Sequence, residues 1–211
     1  MPASSRKPLL SVVAPEAPAS LTQTQAELLR GVLRGDPGAD AALYETLYPI
    51  VAHALQKVLH QPPDYEDLVQ AAFERIVRSL QKPSALEIEN LGAWASAIAV
   101  RVALDGLRAR IRERAVFNRD AGSADIAQAV PEREFEPQVN ARRELNWLQG
   151  ELAAMNPEQA EALMLHHVLG LELPEIASLT HVSESAAQKR LSRGHLELKR
   201  RAEKRAKGRV R

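Results

Sequence analysis

The chain has no cysteine, only 4% aromatic residues, and no apolar run near the roughly 20 residues that a membrane-spanning helix needs. The first absence excludes a disulfide framework and thiolate metal ligands. It fits a reducing cytoplasm, which is the expected location. The second leaves the core to Leu, Ile, Val and Ala, in a sequence of 211 residues that is 45% hydrophobic. The third speaks against membrane insertion, and the segment Leu9 to Ala14, interrupted by Ser11, is too short for the core of a signal peptide. Catalytic signatures are missing too: there is no glycine-rich phosphate loop, no GxSxG elbow and no cysteine nucleophile. His166-His167 lies on a predicted helix, and His53 and His60 share a face. Neither set has a carboxylate at the i, i+4 spacing of a helical metal site. They read as packed or surface histidines. The expectation is a protein that is no enzyme, with no catalytic residue, no metal and no cofactor.

What is present is positive charge, unevenly placed. A net charge of +1 conceals eleven basic residues between Lys189 and Arg211, opposed only by Glu197 and Glu203. A second basic cluster, Arg101, Arg108, Arg110, Arg112 and Arg114, closes an earlier predicted helix. Two cationic patches on a nearly neutral chain suggest two contacts with one polyanion.

The stretch ELPEIASLTHVSESAAQKRLSRGHLELKRR, residues 172–201, gives that polyanion a geometry. Pro174 and Glu175 suit a first helical turn. Ile176, Ala177 and Leu179 supply a buried side, and Thr180-His181-Val182 makes a brief turn with Val182 as an apolar plug. Ser183 is a good N-cap for a second helix, because its hydroxyl can accept from a free backbone N–H. Ala186, Ala187, Leu191 and Leu198 can face inward, leaving Gln188, Lys189, Arg190, Arg193 and His195 exposed. This is the spacing of a helix-turn-helix, whose second helix enters the major groove by its N-terminal part. Ser183, Ser185, Ala186, Gln188, Lys189, Arg190 and Arg193 are the candidate DNA-binding set. The bland alternative is an ordinary helix pair with a solvated basic face.

Upstream, residues 1–20 are rich in Pro, Ala and Ser and read as a disordered extension. Helices are predicted over 21–34 and 39–59, the latter with Leu43, Leu47, Ile50, Val51, Ala54 and Val58 near helical spacing. Asp64 is expected to cap DYEDLVQAAFERIVRSLQ, whose stripe is Leu68, Val69, Ala72, Phe73, Ile76 and Leu80. An alanine-rich helix is predicted over 91–114. Periodicity fades across 115–138, which holds Gly122, Pro131 and Pro137 and an excess of acids, and reads as a flexible acidic linker. Helices resume near Val139. Asn156-Pro157-Glu158 is a cap-plus-N1 start, and Gly170 is a fitting helix terminator.

In this order and spacing, DYEDLVQAAFERIVRSL, AWASAIAVRVALDGLRARIR and NPEQAEALMLHHVLGLELPEIASLTHVSESAAQKRLSRG resemble the sigma-70 family of bacterial RNA polymerase sigma factors. The two-block layout resembles its extracytoplasmic-function (ECF) class. The resemblance implies partners: core RNA polymerase, through the clamp helices of its largest subunit and the flap of its second-largest, and promoter DNA. An anti-sigma factor is a further partner that it allows. Asp64, Glu66, Asp67, Leu68, Gln70 and Phe73 match the polymerase-binding pattern. Trp94, Asp105 and Arg108 match the part that melts and reads the −10 element, to which Asn90, Arg101 and Arg112 are added. The loop 81–90 stands where the class captures a flipped base. Among the residues for −10 reading, Val77 stands where the family often has tryptophan, and Val100-Arg101 replaces the usual Arg-Asn pair. Arg190, Leu191 and Arg193 match the −35-reading helix, with Gln188 in place of a frequent lysine.

The expected architecture is thus all-α: a region 2-like domain over 21–114, a linker over 115–138, a region 4-like domain over 139–204 and a basic tail over 205–211. The function expected from the resemblance is promoter-specific initiation of transcription. A helix-turn-helix regulator that binds duplex DNA as a dimer without polymerase is the alternative. A helical hydrolase with a histidine-metal site is the poorer one.

Overall fold

The computed structural model describes residues 23–60, 62–82, 88–120 and 136–209. The N-terminal extension, residues 83–87 of the loop expected to capture a base, residues 121–135 of the expected linker and the last two residues of the tail lie outside these. Among the described residues there are eight α-helices and no strand: α1 (Gln23–Arg34), α2 (Ala39–Leu59), α3 (Tyr65–Leu80), α4 (Leu91–Asp120), α5 (Glu136–Ala154), α6 (Pro157–His167), α7 (Leu173–Thr180) and α8 (Glu184–Arg209).

Local chemistry sets most of the boundaries. Gly35 and Gly38, at φ 72° and 80°, turn the chain between α1 and α2. Asn156 accepts hydrogen bonds from the backbone N–H groups of Glu158 and Gln159, so α6 starts where the sequence reading puts it. Gly170 is left-handed at φ 71°, and the Leu171 N–H closes the end of α6 on the Leu165 carbonyl. α7 opens with the Glu175 carboxylate accepting from the Glu172 N–H at 2.8 Å. Ser183 Oγ accepts from the Ala186 N–H at 3.3 Å at the start of α8.

Three expectations need correction. α4 continues six residues beyond Arg114, to Asp120. Residues 111–116 are all exposed, so this helical stretch has no apolar stripe to betray it. α5 begins at Glu136, with Pro137 inside its first turn, where a missing N–H costs nothing. The acidic linker is therefore shorter than 115–138. Finally, Asp64 occupies the N-cap of α3 but caps nothing with its side chain, because Arg110 takes its carboxylate at 2.5 Å.

Packing is organised by α4. It lies against α2 and α3 on one side and against α5, α6 and α7 on the other, while α6 and α7 pack on α8. Leu91, Ala95, Ala97, Ile98, Ala99, Val100, Val102, Ala103, Leu104 and Leu107 are all buried, which is burial around most of the helix rather than along one stripe. The buried residues of both halves form one contiguous apolar cluster, and no buried polar residue occurs among those described. Fully buried Leu47, Leu55, Ile76, Leu104 and Leu165 contribute roughly 1.5–3 kcal/mol each.

Gly194 fixes how closely α8 sits on α6. A Cβ there would lie 3.0 Å from the Leu163 side chain and 3.2 Å from the Gln159 carbonyl oxygen, a backbone atom that cannot step aside. Gly194→Ala should therefore lower stability by about 1–2 kcal/mol in urea unfolding, because overpacking outweighs the roughly 1 kcal/mol that alanine gains in helix propensity. Gly150→Ala, facing open space on α5, should instead raise stability by about 0.5–1 kcal/mol. Equal effects at the two positions would show that α8 tolerates displacement from α6.

Candidate nucleic-acid interface

The helix-turn-helix is formed by α7 and α8. Thr180 donates its hydroxyl to the Ile176 carbonyl, and His181 adopts a left-handed conformation at φ 53°, closing α7. That conformation costs a non-glycine residue about 1–2 kcal/mol, and the sequence did not announce it. Val182 packs against the core as the expected plug, and Ala187 and Leu191 are buried beneath α8. Of the candidate DNA-binding set, Ser183, Ser185, Gln188, Lys189 and Arg193 are exposed. Ala186 and Arg190 are half-buried, and Arg190 pairs with Glu158 of α6 at 3.0 Å. The exposed residues fall within the first three turns of α8, the part that can enter a groove about 12 Å wide.

The rest of α8 sorts its cations by face. Arg201 bonds to Glu151 of α5 at 2.7 Å and to Glu197 at 2.8 Å, so its guanidinium pKa is raised and that of Glu197 is lowered. Arg205 pairs with Glu144 of α5 and lies over the Trp147 ring at 4.6 Å. Lys189, Arg193, Arg200, Lys204 and Lys207 are exposed.

In the N-terminal half, the residues of the −10 set have mixed fates. Asn90 caps α4, its side-chain oxygen accepting from the Ala93 N–H at 2.9 Å. Trp94 is half-buried against the core. Asp105 bridges Arg75 of α3 at 2.8 Å and Arg108 at 3.2 Å, and Nη2 of Arg108 is buried with no partner among the described residues. Arg101 reaches across to Glu161 of α6 and the Leu179 carbonyl of α7. Arg110 is taken by Asp64. Arg112 and Arg114 stand exposed, while Arg101, Arg108 and Arg110 are engaged within the protein.

The residues of α3 expected to meet polymerase divide by exposure. Glu66, Asp67 and Gln70 are exposed, and Leu68 is buried beneath them. A Cβ at Gly106 of α4 would stand 3.0 Å from Leu68, so this glycine allows α3 to seat closely. Phe73 is half-buried and stacks at 4.5 Å on Tyr44 of α2, which lies 5.5 Å from Tyr48. Tyr44 and Tyr48 are 47% and 41% exposed, an aromatic patch that the sequence reading missed because the three rings come from two helices.

His166, His167 and His195 also meet in space. His166 Nδ1 contacts the Leu171 carbonyl, and His167 Nε2 lies 2.5 Å from His195 Nε2. No group of three potential metal ligands occurs among the described residues.

Comparison with known proteins places two families of sequence on this framework. The description "Sigma-70 region 2" matches residues 43–113, and "Sigma-70, region 4" matches residues 145–198. RNA polymerase sigma factor CarQ of Myxococcus xanthus is 31% identical over 153 residues, which is 72% of this chain and 82% of that relative. Among solved structures, CnrH in complex with the cytosolic domain of CnrY is similar over 84% of this chain and 96% of that one, with a TM-score of 0.49 and 18% identity.

The histidine contact yields a pH dependence. One ring nitrogen must donate and the other accept, so the pair cannot keep its contact when both rings are protonated. Burial, then the charges of His195 and His166, hold the His167 pKa below its ordinary 6.5. The unfolded chain then binds more protons than the native one once pH falls below the ordinary imidazole value, so the stability present above that value is lost on acidification. Urea midpoints of the parent chain should fall between pH 7 and pH 5 more steeply than those of His167→Asn. Parallel pH profiles for the two proteins would show that the pair is uncoupled from folding.

Proposed function

Because this chain belongs to the sigma-70 family of RNA polymerase sigma factors, in the ECF type, we propose that its α3, α4 and α8 surfaces divide the work of initiation. The protein binds core RNA polymerase and directs promoter-specific initiation of transcription. In the division proposed, Asp64, Glu66, Asp67, Leu68, Gln70 and Phe73 belong to the polymerase-binding surface, with Leu68 and Asp64 shaping it from beneath. Trp94, Arg101, Asp105, Arg108 and Arg112 serve the −10 element, and Asn90 orients the start of the helix that carries them. Ser183, Ser185, Ala186, Gln188, Lys189, Arg190 and Arg193 serve the −35 element.

One observation carries this reading: besides Asp105 and Arg112 of α4, the motif residues with side chains suited to recognition are exposed at two places. They are the first two turns of α3 and the first turns of α8, each above a buried apolar stripe. Asp67 and Gln70 offer a carboxylate and an amide to a protein partner. Gln188 and Lys189 offer an amide and an ammonium to base edges, and Arg193 offers a fork to phosphate. No described helix is long and apolar enough to cross a membrane, and we place the protein's work in the cytoplasm beside its DNA. A non-catalytic role fits a family whose members act on polymerase and promoter. A regulator acting without polymerase is not favoured, since region 2 matches the N-terminal half. An anti-sigma partner belongs to the same proposal.

Run-off transcription with purified core polymerase on a genomic promoter library tests the assignment directly. Asp67→Arg combined with Gln70→Ala should weaken competition against another sigma factor for core by about tenfold or more, as loss of an interface hot spot does. Circular dichroism should show unchanged helix. Undiminished competition would remove α3 from the polymerase surface. On the DNA side, Gln188→Ala should shift the selected −35 sequence. Arg193→Ala should weaken all sequences alike and reduce the salt slope by about one. A shifted consensus with Arg193→Ala would reverse those two roles.

A further inference from the structure

His167 closes α6, and His195 stands one residue beyond Gly194 on α8. Neither belongs to the polymerase-facing or DNA-facing sets. Gly194 brings them together. A Cβ there would stand 3.0 Å from the Leu163 side chain, so glycine lets α8 come this near to α6. Leu163 lies about one helical turn before His167 on α6, and the close approach carries His195 onto that imidazole. The two Nε2 atoms face each other at 2.5 Å, from residues 28 apart in the chain. The helical spacing rule that found no metal site in the sequence looks along one helix, whereas this pair comes from two.

Nitrogen donors normally stand about 2.7–3.2 Å from their acceptors. The lone pairs of His167 and His195 converge more closely than that, with a single proton to share between two neutral rings. A late first-row divalent cation takes both lone pairs at once. With Zn–N bonds of about 2.0–2.1 Å and tetrahedral angles, the two nitrogens would stand about 3.3 Å apart. Both side chains are exposed, so a small turn of each ring supplies the extra separation. The surroundings suit a cation as well. His167 is the last residue of α6, where the helix dipole is negative. The Val168 carbonyl beside it already draws the Lys57 ammonium, at 3.3 Å. His166 donates from Nδ1 to the Leu171 carbonyl at 2.9 Å, and its tethered ring lies edge-on to His167 with centroids 4.9 Å apart. That contact braces the His167 imidazole.

We propose that His167 and His195 form a metal-binding site that clips α8 to the end of α6. Its ligand is a late first-row divalent cation, Zn²⁺ foremost, held by the two Nε2 atoms with water in the remaining positions. No third His, Cys, Asp or Glu completes the set among the described residues, so the site is open and exchanges its ion with solvent. It offers imidazole and no carboxylate, which disfavours Mg²⁺ and Ca²⁺, ions that demand oxygen. The occupied site pins α8 just beyond Arg193, in the half that carries the helix-turn-helix.

Calorimetric titration of the full chain with zinc chloride at neutral pH tests the site. A single Zn²⁺ should bind. His167→Gln and His195→Gln should each weaken it about a hundredfold or more, since losing a ligand costs at least what losing a ligand's hydrogen-bonded neighbour does. His53→Gln, at an exposed imidazole of α2, should leave the affinity unchanged, and Mg²⁺ should not bind. Zn²⁺ affinity that survives in both variants, or that falls as far in His53→Gln, would overturn the site. Ring-nitrogen NMR of the parent gives the same answer without a substitution. The Nε2 signals of His167 and His195 should move with Zn²⁺ while those of His53, His60 and His181 stay, and the reverse pattern would sink the assignment. Urea unfolding reads the clip. With free Zn²⁺ a hundredfold above its Kd, the folded-to-unfolded ratio of the parent should rise about a hundredfold, and that of His195→Gln should not change. Binding without that rise would show that the ion does not join α6 to α8. None of these measurements needs polymerase or promoter, so they stand apart from the assignment of α8 to DNA.

Discussion

Burial of α4 on nearly all sides is the constraint on which the other helices depend. A helix packed against α2 and α3 on one flank and α5, α6 and α7 on the other needs small side chains, so that neighbours can approach without voids. Ala95, Ala97, Ala99 and Ala103 provide them, and Leu104 and Val100 fill the space between. Gly106 then admits Leu68, which seats α3 and sets the direction in which Asp67 and Gln70 point. One helix thus fixes the seat of α3 and the contact between the two halves.

The second theme is competition for arginines. Around α4, Arg75, Arg101, Arg108 and Arg110 all find acceptors inside the protein: Asp105, Glu161 and Asp64, with a backbone carbonyl added for Arg101. On α8, Arg201 and Arg205 are bound to α5, while Lys189, Arg193, Lys204 and Lys207 are exposed. A charge count along the chain treats all of these alike. The structure separates those that hold the fold from those that stand open to solvent, such as Arg78, Lys82, Arg112 and Arg114 near α4.

Much of this was legible in the sequence where a residue type has one local use. Asn156-Pro157 starts α6, Val182 plugs the turn, and the stripe Leu68, Val69, Ala72, Ile76 is buried, because caps and helical periodicity are short-range rules. The misses have the opposite character. Arg101–Glu161 joins residues sixty apart, the Tyr44–Phe73 contact joins two helices, and His167 meets His195 only after α6 and α8 pack. Residues 111–116 near the end of α4 carried no stripe because no neighbour buries them. Asp64 stood where a cap belongs, yet a distant arginine was the stronger attraction. Gly194 was a signal passed over: a glycine inside a helix often marks a close approach, and here it does.

The uninterrupted course of α8 has a mechanical meaning. Lys189 and Arg205 lie sixteen residues apart on one helix, a separation of about 24 Å. The end that carries Lys189 and the end clamped to Glu144 and Trp147 therefore move as a single lever. A shift of about 1 Å at the clamp tilts the reading end by only about 2° over that length. The direction of the exposed first turns of α8 is thus set by contacts far from them, through the geometry of a rod whose remote end is pinned.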